Sequence, residues 1–374
     1  MAEKKRLYKY SSYVTDIKGV SEKLQKYGVA IIPNVIDKEE TLALREGVAK
    51  YLKRLTSALP TTGKSLDIDL SHSTKVKGDS STFWKMQRLF LTHHTMFQRW
   101  QAGHIQEVWD VRQNPKVAKV FAKGLWKVSK EDLQVSFDGL SFLIPPETTG
   151  KGFENGQNTR GSEGWLHTDQ GWGKRPKTEP REEEAYDGES VQSWITAYPV
   201  EEGDGTLVVL EKSHLYHEEF GKKFDQTHSK NWCQLAKVPP RKGKSPMDFY
   251  LERGCKKVYI KCPAGSMVLW DSRTIHAGSL PIKGREHKNP RLVTYVCYTP
   301  RDWCTEGVMK KRRKALEDLR TTSHLPHSPT LFPVKPRLFA HQSELKGDLE
   351  ALADASVVKP PKLSSLGKRL AGVK

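Results

Sequence analysis

The chain has 374 residues, a formal net charge of +18 and a hydrophobic fraction of 36%, with a mean hydropathy of -0.64. That length buries a real core in one elaborated domain or two small ones. No apolar run reaches membrane-spanning length, and the charged opening Met1-Ala2-Glu3-Lys4-Lys5-Arg6 lacks the apolar core of a secretory leader.

The five cysteines, Cys233, Cys255, Cys262, Cys297 and Cys304, form no C-x-x-C pair, so neither a disulfide framework nor a thiolate zinc site is expected. A reducing, intracellular and cytoplasmic setting is the simpler reading. The positive charge favours anionic partners: nucleic acid, acidic protein, a phosphorylated small molecule or a CoA ester. It is equally the charge of a soluble protein with basic tails.

In chain order, residues 28–33 form a short β-type run closed by Pro33. Asp37 reads as an N-cap with Glu40 completing a capping box, and apolar residues recur at helical spacing over 39–55. Residues 59–82 read as a long polar loop, and Trp84, Phe90, Phe97, Trp100 and Trp109 as core among helices. The tandem His93-His94 lacks a carboxylate at ligand spacing.

The middle of the chain is β in character. Strands are expected at 133–144, 191–198, 206–210, 257–261, 267–270 and 292–299, with polar loops at 147–164 and an insertion at 175–190. Short strands separated by turns indicate a sandwich or jelly roll, and the lack of β-helix-β alternation argues against a doubly wound parallel sheet. Helices are expected again at 306–319 and 345–353, an extended wrap at 321–336, and a last amphipathic turn from Leu363 to Leu370 in a basic tail. Three segments result: 1–132, helical and packed on the core; 133–300, the catalytic core; and 301–374, a helical and extended wrap. They are expected to form one integrated domain. The run Lys310-Lys311-Arg312-Arg313-Lys314 reads as a solvated helix face or, alternatively, as a nuclear-targeting cluster.

The chemistry is concentrated in Gly164-Trp165-Leu166-His167-Thr168-Asp169-Gln170. Residues two apart on a strand share a face, so His167 and Asp169 can offer an imidazole nitrogen and a carboxylate oxygen to one ion. Neither ligand is soft, which suits a divalent first-row metal such as iron. His276, in the strand-turn-return Leu269-Trp270-Asp271-Ser272-Arg273-Thr274-Ile275-His276, is the candidate third ligand. Two histidines and one carboxylate on one side of an ion leave positions open, as non-haem Fe(II) oxygenases need for 2-oxoglutarate and O2. Arg291, opening the next strand, can grip the far carboxylate of 2-oxoglutarate through paired charge-assisted hydrogen bonds. The rival triplet His217-Glu218-Glu219 falls in a helix-like stretch where residues two apart diverge, and reads as surface. His214 reads as structural.

The order of these motifs carries a resemblance. Trp165-Leu166-His167-Thr168-Asp169, the run Gly203-Asp204-Gly205-Thr206-Leu207 through Ser213-His214, Trp270-Asp271-Ser272-Arg273-Thr274-Ile275-His276-Ala277-Gly278 and the Arg291 strand resemble the signatures of the phytanoyl-CoA dioxygenase family, over roughly residues 134–300. The resemblance implies a mainly β fold with flanking helices around a double-stranded β-helix. It further implies Fe(II) held by His167, Asp169 and His276, Arg291 as cosubstrate anchor, and Trp194 lining the 2-oxoglutarate pocket. Thr168 stands where some members carry glutamine. Asp169 argues against halogenation, because it fills the position a halide would take. The expected activity is hydroxylation of a small organic substrate, with an acyl-CoA or other anionic metabolite as the candidate class. Two alternatives stand beside it: an oxygenase acting on protein or nucleic acid, and a non-catalytic β-helix scaffold with a basic binding surface. The loops at 59–82, 147–164 and 171–190 are candidate lids.

Overall fold

A computed structural model describes residues 6–59, 67–69, 75–77, 80–91, 95–149, 165–172, 185–228 and 232–374. The loop expectations for 59–82, 147–164 and 171–190 fall largely outside these residues, as do His93 and His94.

Two six-stranded sheets face each other. The first runs β1 (Tyr8–Lys9), β12 (Lys256–Ile260), β10 (Leu207–Glu211), β14 (His276–Gly278), β8 (His167–Thr168), β11 (Cys233–Gln234). The second runs β2 (Val29–Ile32), β13 (Met267–Asp271), β9 (Val191–Thr196), β15 (Arg291–Tyr295), β7 (Leu140–Leu143), β5 (Met96–Phe97). Two small antiparallel pairs, β3 (Asp67–Asp69) with β4 (Lys75–Lys77) and β6 (Leu133–Val135) with β16 (Tyr298–Pro300), complete the described strands. Neighbours in the large sheets are antiparallel except β1 with β12. This is the expected jelly-roll core with flanking helices.

Alternation decides which side chains meet. Val29, Ile31, Trp194, Val209, Val258, Val268 and Val293 point between the sheets into one apolar cluster. Their neighbours Ala30, Ile32, Ile195, Met267, Leu269 and Leu292 point outward into a larger cluster under the helices. That outer layer draws on residues from Val20 to Ala371 and includes the buried Phe90, Phe97, Trp100 and Trp109. Both faces of the second sheet are covered, so its strands are almost continuously apolar.

The helix Lys38–Ser57 starts on the Asp37–Glu40 capping box. The helix Glu306–Glu317 carries the basic cluster, but Arg312 is fully buried and does not belong to a solvated face. Its guanidinium donates to the carbonyls of Val135 (2.7 Å), Leu370 (3.1 Å) and Pro326 (3.3 Å), tying strand, tail and wrap together. All five cysteines are free thiols. Among the described residues no helix is long and apolar enough to cross a membrane.

Two expected strands are divided. The 133–144 run splits into β6 and β7, because Phe137 leaves the sheets to exchange hydrogen bonds with Thr322 of the C-terminal wrap. The 292–299 run splits into β15 and β16, with β16 pairing β6 instead.

Candidate metal centre and cosubstrate pocket

β8 and β14 are neighbours in the first sheet, and His167 stands directly opposite His276 in their register. Asp169 follows β8, its backbone N–H donating to the Ser272 carbonyl at 3.2 Å. The strand-to-strand turn at 271–275 therefore supports two of these side chains at once. It precedes His276, and its Ser272 carbonyl accepts from Asp169 N, Gln170 N and Thr168 Oγ1. Ligand atoms of His167, Asp169 and His276 all lie within 4.8 Å of one another.

The histidines are held in a ligating form. Nδ1–H of His167 donates to the Trp165 carbonyl at 2.7 Å, and that of His276 to the Thr274 carbonyl at 2.9 Å. Each Nε2 then carries the free lone pair, and these nitrogens sit 3.8 and 3.3 Å from Asp169 Oδ2. Burial, reinforced by His276, pushes His167 down to about 4, so it is neutral at physiological pH. Burial works to raise Asp169, but His324, His167 and His276 hold its carboxyl well below the ordinary carboxylate range. Gln192 Nε2 donates to Asp169 Oδ2 at 2.8 Å and fixes the carboxylate. Two imidazoles presenting Nε2 and an ionised carboxylate, each held by an outer hydrogen bond, fit a divalent first-row cation.

A cavity of about 490 Å³ opens from this triad between the sheets. Arg291 and Trp194 line it. Ser141 Oγ accepts from Arg291 Nε at 2.9 Å and the Gly205 carbonyl from Nη1 at 3.1 Å, while Nη2 bonds none of the described residues. The guanidinium lies 5.8 Å from the Trp194 ring centroid, and Trp194 is also fully buried in the inter-sheet cluster. Thr168 is differently placed. Its hydroxyl bonds the carbonyls of Gln170 (2.8 Å) and Ser272 (2.9 Å), and it is not among the cavity-lining residues.

The rival motif needs a correction. Glu218 and Glu219 are exposed, but His217 is buried, stacked on Trp172 with ring centroids 5.4 Å apart and bonded to the Gly171 carbonyl at 3.2 Å. The helix His217–Lys223 turns its first residue inward, so His217 packs while the two glutamates diverge from it. His214 bonds the Gln25 carbonyl at 3.0 Å, a structural contact.

Sequence reasoning overlooked several wall residues. Gln192 was within reach of it: two residues before Trp194 on one strand, it shares that residue's face. Asp138, Gln98, His324 and Phe332 also line the cavity. Their segments converge only in three dimensions, and no local spacing marks them.

The family model "Phytanoyl-CoA dioxygenase (PhyH)" matches residues 24–281, which include His167, Asp169, Trp194 and His276 and end before Arg291. The Ava biosynthesis cluster protein O of Aspergillus versicolor is 24% identical over 250 residues, 67% of this chain and 72% of that protein. Hypothetical protein JW0805 of Escherichia coli superposes with a TM-score of 0.50 at 16% identity, over 83% of this chain and 77% of that one. The non-heme alpha ketoglutarate dependent carbocyclase SnoK from nogalamycin biosynthesis gives a TM-score of 0.41 at 15% identity, over 85% of this chain and 95% of that one. With the family model covering most of the jelly-roll core, the chain belongs to the phytanoyl-CoA dioxygenase family and is an iron- and 2-oxoglutarate-dependent dioxygenase.

Proposed function

We propose that this enzyme hydroxylates a small organic substrate, with Fe(II) held by His167, Asp169 and His276 and the far carboxylate of 2-oxoglutarate held by Arg291. The carrying observation is the meeting of the three ligand atoms within 4.8 Å in the wall of a cavity that Arg291 also lines. The metal and its cosubstrate supply the oxidation: one oxygen atom of O2 ends in succinate, released with CO2, and the other in the substrate's new hydroxyl.

The chain's own groups orient this chemistry. The Trp165 and Thr274 carbonyls hold each imidazole with Nε2 toward the ion, and Gln192 keeps the Asp169 carboxylate turned to it. Ser141 and the Gly205 carbonyl steady Arg291, leaving Nη2 and one N–H of Nη1 for a carboxylate. Trp194 walls the cosubstrate side and excludes water from it. Thr168 serves the site indirectly, tying β8 to the 271–275 turn. A cavity of about 490 Å³ falls in the range of small-molecule sites, about 300–1,000 Å³, which favours a small molecule over a folded macromolecule.

Metal analysis after anaerobic reconstitution and desalting tests the ligand set. Wild type should retain about one iron per chain, and His167→Ala and His276→Ala about a tenth of that or less, with unchanged far-UV circular dichroism. Full iron retention in both variants would contradict the assignment.

A further inference from the structure

The cavity has a second polar region, built partly from chain that the family model does not match. Ser323, His324 and Phe332 reach it from the C-terminal wrap, and Gln98 and Asp138 join them. The wrap is pinned where it does so. Thr322 N donates to the Phe137 carbonyl at 3.0 Å, and Phe137 N to Thr322 Oγ1 at 3.1 Å. Ser323 N bonds Thr330 O at 2.8 Å, Phe332 N bonds Thr321 O at 2.9 Å, and the Arg320 guanidinium closes on the Phe332 carbonyl at 2.8 Å. His324 and Phe332 are thus carried on a closed loop fixed next to Asp138.

Two polar atoms here lack protein partners among the described residues. Asp138 Oδ1 accepts from Gly139 N at 2.7 Å and Gln98 Nε2 at 3.2 Å, but Oδ2 accepts from no described group. His324 Nε2 is buried with no hydrogen bond. A buried polar atom without a partner is costly, by about 1–3 kcal/mol, so His324 Nε2 marks where a ligand completes the bonding, in a cavity that Asp138 also lines.

Much of the remaining wall is apolar and aromatic. Trp165 and Trp232 have ring centroids 5.5 Å apart, and Phe332, Met96 and Leu280 line the same space. Among the described lining residues Arg291 is the only lysine or arginine, and the cosubstrate takes it. No further fixed cation there would balance a phosphate, and Asp138 would repel one.

We propose that Asp138 and His324 form a recognition pole for an uncharged, ring-containing substrate that presents an O–H or N–H donor, its ring held by Trp165, Trp232 and Phe332. The proposal rests on the iron and 2-oxoglutarate reading of the same cavity. It narrows the substrate class away from acyl-CoA esters and assigns selectivity to residues of the wrap. Asp138 Oδ2 accepts the substrate's donor, and His324 Nε2 bonds the polar atom beside it. A site built to bond a donor rejects analogues that lack one, because its own polar atoms are then left unpaired.

The test is anaerobic calorimetry on the full chain loaded with Fe(II) and 2-oxoglutarate. The probes are quinolin-2(1H)-one and 1-naphthol, their N-methyl and O-methyl counterparts, and hexanoyl-CoA. The parents should bind and the methylated forms bind about tenfold weaker or worse, one lost hydrogen bond being worth about that factor. Asp138→Asn and His324→Phe should erase the difference, and hexanoyl-CoA should not bind. Equal binding of parent and methylated forms overturns the proposal, as does no binding by either parent, preference for the CoA ester, or unchanged selectivity in both variants. The charge-transfer absorbance of the Fe(II)–2-oxoglutarate chelate, recorded on the same samples, separates the two readings. Its absence in wild type defeats the iron assignment and this proposal with it, whereas its presence with unchanged selectivity defeats the recognition pole alone.

Discussion

The turn that holds both Asp169 and His276 depends on one carboxylate. Asp271 has a fully buried side chain that accepts from Arg273 N (2.7 Å), Nε (2.9 Å) and Nη2 (2.7 Å), and from the Tyr186 hydroxyl. Burial works against its ionisation, and Arg273 more than offsets this, leaving the carboxyl below its ordinary range. Asp271→Asn keeps the shape and removes the charge. Breaking a buried ion pair costs about 3–5 kcal/mol, but Arg273 retains 24% exposure and can turn toward water, so about 3 kcal/mol is the expected loss. An unfolding entropy of about 2.1 cal/mol/K per residue converts that to a fall in Tm of roughly 4 °C. Asp225→Asn is the control: that carboxylate is 75% exposed in its pair with Arg241, and its loss should cost under about 0.5 kcal/mol. Differential scanning fluorimetry of both variants, with iron retention measured alongside, gives the answer. Asp271→Asn should lose stability and iron together. A Tm within about 1 °C of wild type and full iron retention would refute the role given to this turn.

Three further outcomes follow from named contacts. His104 is fully buried, and burial, with Arg112 nearby, lowers it from 6.5 to about 3. The unfolded chain therefore binds a proton below pH 6.5 that the native one refuses, and stability falls by about 1.4 kcal/mol per pH unit from this group on acidification. His167, lowered to about 4, steepens the metal-free protein further; in urea titrations at pH 6.5 and 5, His104→Asn should flatten the dependence, and an unchanged slope would count against it. Gln192→Leu removes the donor on Asp169 and should weaken Fe(II) binding about 10- to 100-fold in competition with a chelator, where an unchanged affinity would contradict its role. Gly28 has φ +78°, and an added Cβ would stand 2.5 Å from Thr274 Oγ1 and 2.7 Å from His214 Nδ1. Gly28→Ala should accordingly cost about 1–3 kcal/mol by chemical denaturation, and a neutral result would show that the turn yields easily.

Much of the core was legible because strand alternation is local. The stretches around 191–198, 206–210, 257–261 and 267–270 became strands with ends shifted by a few residues. The undivided readings of 133–144 and 292–299 failed for a non-local reason. Phe137 satisfies its backbone on Thr322, 185 residues away, and nothing in the neighbouring sequence announces that partner. The same holds for the site. His167 and Asp169 are two apart on one face, and His276 and Arg291 follow in a recognisable order. Asp138 and His324 are joined only by the path of the C-terminal wrap. The burial of Arg312 within a run of surface-like lysines has the same origin, since its carbonyl partners come from three separate segments.

The most direct test of the central claim is an anaerobic titration of the protein with Fe(II) and 2-oxoglutarate, followed by visible absorbance, on wild type, Asp169→Ala and Arg291→Ala. A charge-transfer band should form in wild type, be lost in Asp169→Ala, and in Arg291→Ala require a much higher 2-oxoglutarate concentration. A folded wild-type protein that forms no band, or an Asp169→Ala variant whose band matches wild type, would contradict the account.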